Sequence, residues 1–123
     1  MDDYVVNDNA VVHAYQLIDD RHVVLGTDWE ASHPTLGQQE DFIARNSWDA
    51  FARWHLALDP SVPQQTIGHY QFAYGDGVRV HRSALASCLT RARLRGARKL
   101  ELAAEELLRR IDAKAGIVDG VVL

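Results

Sequence analysis

The closing third of the chain constrains the fold more than any other feature. Leu85, Cys88, Leu89 and Ala92 keep the i, i+3, i+4, i+7 spacing of one helix face, and Gly96 stands where a helix ends. Leu100, Ala103, Ala104, Leu107, Ile111 and Ala115 resume that period up to Gly116. Two apolar stripes joined by a glycine turn bury each other by folding back, so residues 83–115 are predicted to form an antiparallel helix pair. The tail after it, 116–123, carries Asp119-Gly120 between valines and is read as an added edge strand or a frayed end.

The remainder is more mixed. Residues 10–18 (AVVHAYQLI) are rich in Val, Tyr and Ile and alternate imperfectly, and Val23 to Leu25 is a second short β-branched run. With Asp19-Asp20-Arg21 as the link they read as a hairpin, Val11, His13, Tyr15 and Leu17 sharing one face. Thr35-x-x-Gln38 has capping-box spacing and predicts a helix start. Asn46-Ser47 interrupts that helix, and Trp48, Phe51, Ala52, His55 and Leu58 continue at helical spacing until Asp59-Pro60. Trp54 lies off that stripe, which makes this an aromatic helix able to touch partners on two sides. After a loop, Tyr70, Phe72 and Tyr74 stand at strand spacing, followed by a Gly75-Asp76-Gly77 turn.

The expected architecture is therefore α+β: an N-terminal β-hairpin or small antiparallel sheet on a three- to four-helix core, closed by the C-terminal helix pair. At 123 residues with 47% hydrophobic content the chain suits one domain. Its parts are strands and loop over 1–34, the aromatic helix region over 35–59, loop and extended chain over 60–82, then the helix pair and tail. No apolar run approaches the length of a membrane span, Met1-Asp2-Asp3 lacks the basic start of a signal peptide, and the lone Cys88 suits a reducing compartment. A cytoplasmic protein without membrane contact is expected.

Charge is unevenly spread. Residues 1–59 hold eleven acids against three arginines, whereas 77–100 hold seven bases and no acid. The two parts are expected to face each other within a chain or across a homo-oligomer. A small-anion site near Arg79 and Arg82 at the start of the Ser83 helix is the sharper alternative. Nucleic-acid binding through Arg79 to Lys99 is a third reading; the acidic balance and Glu101, Glu105 and Glu106 on the second helix argue against it.

Chemistry concentrates in Tyr70 to Leu85. Asp76, His81, Arg82 and Ser83 fall at a turn and a helix entrance, where loops present polar groups to ligands. A catalytic reading makes His81 the acid/base, Asp76 its orienter, Tyr74 a hydrogen-bond donor and Arg82 an anion clamp. Arg79, Ser83, Trp54, His55 and Tyr70 would then line a pocket between the aromatic helix and the Tyr74 to Ser83 segment. The structural reading beside it has Asp76 closing its own turn, His81 capping the next helix, and Arg82 pairing with an acid of the first half. His55 would be a core-edge histidine with one ring nitrogen on backbone, and Cys88 a small buried hydrophobe. None of the six histidines forms the close helical pairs of metal ligands, so neither a metal nor another cofactor is expected.

Trp48, Trp54-His55-Leu56, Tyr70-x-Phe72-x-Tyr74-Gly75-Asp76, Val80-His81-Arg82-Ser83-x-Leu85 and Arg91-Ala92 together form a pattern that resembles small actinobacterial proteins carrying W-x5-W-H-L, Y-x-F-x-Y-G-D and V-H-R-S-x-L. The likeness spans about residues 28–112 and departs at Gly77, where the pattern has a bulky residue. It implies a fold-sized unit and no activity, cofactor or ligand. The expectation carried forward is a binding or assembly module, self-associating or part of a larger complex. The alternative is a small cofactor-independent enzyme or anion-binding protein with its pocket near Tyr74, Asp76, His81 and Arg82.

Overall fold

The computed structural model describes residues 4–118 and 121–122. It is an α+β fold in which a small antiparallel sheet and six helices surround one apolar core. Strand β1 (Val5–Val6) runs directly into helix α1 (Asp8–Asp19), and the Asn7 between them ties three elements together. Its amide donates to the Leu56 carbonyl, and its side-chain nitrogen donates to the carbonyls of Ala52 and His55. A buried asparagine thus satisfies backbone groups that no ladder reaches.

The predicted N-terminal hairpin is replaced by α1. Ala10, Ala14 and Ile18, four apart, form its fully buried face, so the period that governs this segment is helical. Val11 and Val12, which suggest a strand, lie off that face, and Val12 is exposed. Small side chains on the buried face let α1 lie close against the core. The helix ends at Asp20, with Arg21 at positive φ, before β2 (Val23–Val24).

Helix α2 (Trp29–Ser32) is one turn capped by Asp28, and α3 (Leu36–Arg45) starts with both reciprocal bonds of the Thr35/Gln38 capping box. Ser47 caps α4 (Trp48–Ala52), as its position after Asn46 predicts. The aromatic helix does not continue to Leu58. It stops at Ala52, and β3 (His55–Leu58) becomes the middle strand of the sheet, between β1 and β4 (Tyr70–Ala73). His-Leu-Ala-Leu is apolar on both faces because both are covered; Leu56 and Ala57 are fully buried. Pairing to β1 through Val6↔Ala57 and to β4 through Ala57↔Gln71 decides the strand over the helix.

A 3-10 turn (Ile67–His69) occupies the start of the expected 67–74 strand, and Phe72 sits at positive φ within β4. Phe72 and Tyr74 are buried while Tyr70 is half-buried, so the three rings do not share one environment. Strand β5 (Val80–His81) pairs in parallel with β2, which brings the loop after β2 beside the entrance of α5 (Arg82–Arg95).

Gly96, in the left-handed conformation, ends α5, and α6 (Arg98–Ala115) returns along it to Gly116. Arg82 at the start of α5 meets Asp112 near the end of α6, and Arg93 meets Glu101 at the opposite end, so the pair is antiparallel as expected. Leu85, Cys88 and Ala92 from α5 and Leu100, Ala104, Leu107 and Ile111 from α6 form the core seam. Ile117–Val118 (β6) pairs with Val121–Val122 (β7) and not with the main sheet, and Asp119-Gly120 lies outside the described residues. Among the described residues no helix is long and apolar enough to cross a membrane.

Candidate functional site

The turn after Tyr74 is built by two glycines and one carboxylate. Gly75 bridges to Val80, and a Cβ there would collide with the Arg79 carbonyl oxygen and the Trp54 ring. Gly77 has φ of +91°, which L side chains rarely adopt, and a Cβ there would press on the Phe42 ring at 3.0 to 3.1 Å. Between them Asp76 Oδ1 accepts from the amides of Val78 (2.9 Å) and Arg79 (2.7 Å), closing the turn.

Asp76 Oδ2 accepts from His81 Nε2 at 2.8 Å. The other ring nitrogen, Nδ1, is 2.8 Å from Thr27 Oγ1, which in turn lies 3.2 Å from Ser83 Oγ. Burial opposes the charge on Asp76, but the bonds from His81 and the two amides outweigh it and hold the carboxyl below its ordinary range. The ring of His81 is buried, with both nitrogens bonded and the Trp29 ring 5.2 Å away. It occupies the N-cap position of α5 without making a side-chain cap bond. The result is an aspartate–imidazole–hydroxyl chain. Sequence pointed to Asp76 and His81 but missed Thr27, which precedes His81 by 54 residues and reaches it through the β2–β5 pairing.

The other residues singled out from sequence go elsewhere. The Tyr74 hydroxyl donates to the Arg53 carbonyl at 2.6 Å and lies 2.7 Å from His13 Nδ1, with burial holding the phenol protonated. Arg82 grips Asp112 through two nitrogens, at 2.7 and 3.1 Å, so its partner comes from α6 and not from the acidic first half. Arg79 is exposed, 4.0 Å from Asp76, and Tyr70 stacks on Trp48. The basic run is dispersed as well. Arg93 and Arg98 share Glu101, Arg95 covers the Tyr4 ring, and Arg91 covers Phe72. A first-half acid does neutralise bases across the chain, but they are Arg110 and Lys114 of α6, which meet Asp19.

A cleft of about 530 Å³ opens between the α2–α3 arm and the sheet, floored by the Gly75–Gly77 turn and α5. Trp29, Phe42, Phe51 and Trp54 supply its aromatic walls. Asp76, His55, Gln38 and Asn46 offer polar groups, Arg91 adds positive charge, and Arg45 is paired at 3.0 Å with Asp41, which also lines the space. Of the residues singled out from sequence, Asp76, Trp54 and His55 line this space, whereas His81, Tyr74, Arg79, Arg82, Ser83 and Tyr70 do not. Phe42, Gln38 and Arg91 are not placed at this site by the sequence, because α3 and α5 meet the turn only in the fold.

His55 donates from Nδ1 to the Phe51 carbonyl at 2.8 Å, and burial lowers its pKa to about 4. Cys88, also at the cleft, donates its thiol to the Ala73 carbonyl, and burial pushes it up to about 12, which leaves it a hydrophobe at neutral pH. Among the described residues no group of three histidine, cysteine or acidic side chains is arranged to hold a metal ion. The hydroxyl of the imidazole chain, Thr27, is not among the residues that line the cleft, and the cleft meets that chain through Asp76. No protein-family model, curated protein or solved structure matches the chain.

Proposed function

We propose that this chain is a small-molecule-binding domain whose ligand sits in the aromatic cleft between α3 and the Gly75–Gly77 turn. The observation that carries the reading is the cleft itself: about 530 Å³, walled by four aromatic side chains and supplied with a few converging polar groups. Its size falls within the range of small-molecule sites, and its walls come from segments distant in sequence. The Asp76–His81–Thr27 chain then acts as a positioning device. It fixes the carboxylate at the floor and ties the turn to the entrance of α5.

The test is an NMR titration of the full chain with a set of aromatic fragments. Binding in the cleft shifts the amides of Phe42, Gly75 and Ser87, and Ser87→Phe, which fills the space from α5, abolishes those shifts. Fragments that perturb other surfaces and ignore Ser87→Phe would overturn the reading.

Self-association is the second reading, and one observation favours it. Leu94 at the end of α5 is 83% exposed, with Leu102 exposed just beyond the same helix–helix turn. If these leucines form an interface, light scattering finds a dimer that Leu94→Glu converts to monomer. A monomeric wild type at about 100 μM removes this reading.

A further inference from the structure

His55 is 6% exposed, at the start of β3, with the Phe51 ring 4.4 Å and the Tyr70 ring 6.0 Å from its own. A carbonyl oxygen only accepts, so the 2.8 Å bond to Phe51 places a proton on Nδ1. Burial keeps the ring uncharged at neutral pH, so it carries that one proton and Nε2 presents a bare lone pair. Nε2 has no hydrogen-bond partner among the described residues, yet no fully buried side-chain nitrogen or oxygen there lacks one. Nε2 therefore retains some open surface, and His55 is among the residues that line the cleft. A strong acceptor beside an aromatic cavity is costly to leave unpaired when a ligand covers it, so it selects for a donor.

Arg91 stands on the same cleft. Its guanidinium lies 4.4 Å over the Phe72 ring, and no carboxylate partner for it is found among the described residues. Asp76 already accepts from three protein N–H groups, two on Oδ1 and one on Oδ2. The site therefore offers aromatic faces, one acceptor without a donor, and one cation without an anion.

We propose that the cleft selects a planar aromatic acid bearing a phenolic O–H or heterocyclic N–H, with that donor on His55 Nε2 and the carboxylate on Arg91. This rests on the cleft being a ligand site and goes on to name its ligand class. His55 reads the donor, Arg91 reads the charge, and Trp29, Phe42 and Trp54 accept the flat ring.

Three probes separate these contributions: 4-hydroxybenzoate, its methyl ether 4-methoxybenzoate, which has no donor, and 4-hydroxybenzyl alcohol, which has no charge. Calorimetry on the full chain is expected to find 4-hydroxybenzoate binding about tenfold more tightly than either of the others. The preference over the ether disappears in His55→Phe, and the preference over the alcohol disappears in Arg91→Gln. Because His55→Phe alters a buried position, a wild-type readout stands beside it. The Nε2 nitrogen resonance of His55 moves on adding 4-hydroxybenzoate and stays in place with 4-methoxybenzoate.

Equal affinity for the acid and its ether, with an unmoved Nε2 resonance, overturns the assignment. If none of the three probes binds while other aromatic fragments occupy the cleft, the ligand class is wrong and the binding domain stands. If nothing occupies the cleft at concentrations up to about 10 mM, both readings fall.

Discussion

The α5–α6 pair and the half of the chain that builds the cleft bury their surfaces by different means. The pair uses repetition: leucines and alanines at helical spacing meet along one seam, and Gly96 supplies the return. The cleft half uses single side chains that act over long separations. Asn7 bonds carbonyls at Ala52 and His55, Tyr74 bonds Arg53, and Thr27 bonds His81. Short elements cannot satisfy their own backbone ends, so polar side chains do it for them. The cleft opens between the elements that these bonds hold together.

This contrast can be broken most directly in the seam. Leu107→Ala removes a fully buried side chain of α6 and should cost roughly 3 to 4 kcal/mol in urea unfolding. A loss under about 1 kcal/mol would mean that the seam collapses around the gap and is not packed as described. The matching experiment in the cleft half adds an atom instead of removing several. Gly75→Ala places a methyl against the Arg79 carbonyl and the Trp54 ring and should cost roughly 2 to 3 kcal/mol. If it were neutral, the turn would have to be looser than its hydrogen bonds imply.

What could be read from the sequence follows the same division. The α5–α6 pair, the capping box at Thr35, the Ser47 cap and the turn at Asp76 all rest on signals within a few residues, and each appears where its pattern stands. Over residues 10–18 the β-branched composition favours a strand, whereas the four-residue spacing of Ala10, Ala14 and Ile18, which the sequence also displays, is the pattern the fold follows. Residues 55–58 were legible only as a short apolar run. Nothing local separates a buried strand from one more helical turn, and pairing with Val5–Val6 and Tyr70–Ala73 decided it. In the site, the Asp76–His81 bond joins groups five residues apart, whereas Thr27, Phe42 and Arg91 arrive by tertiary contact that no spacing encodes.

His55 sharpens the comparison through pH. Its ring is neutral in both folded and unfolded chain above about 6.5. As pH falls from there towards 4 the unfolded chain binds a proton that the folded one refuses, so stability drops across this window and levels off below it. Between pH 7 and pH 5 the loss attributable to His55 should be about 2 kcal/mol. His13, also lowered by burial, adds in the same sense, so the relevant quantity is the difference between wild type and His55→Gln. Parallel stability curves for the two proteins over this range would show that the cleft admits water and charge more freely than its aromatic walls suggest.

The smallest effect tests whether the legible and the functional parts of the chain are separable. Helix α3 was readable from Thr35-x-x-Gln38, yet none of its residues is buried, so its order depends on the cap and on Phe42 leaning over Gly77. Thr35→Ala removes the hydroxyl that accepts from the Gln38 amide and should cost about 1 kcal/mol. Because the helix is anchored lightly, that loss should appear as local opening before it appears in global unfolding. Hydrogen exchange of the α3 amides should accelerate about fivefold while the Leu107 amide in the seam keeps its rate. Since α3 supplies Gln38, Phe42 and Arg45 to the cleft, ligand affinity should weaken by the fraction of time the helix is open. Equal acceleration in α3 and α6 would instead make the arm and the seam one cooperative unit, and the cleft wall as rigid as the core behind it.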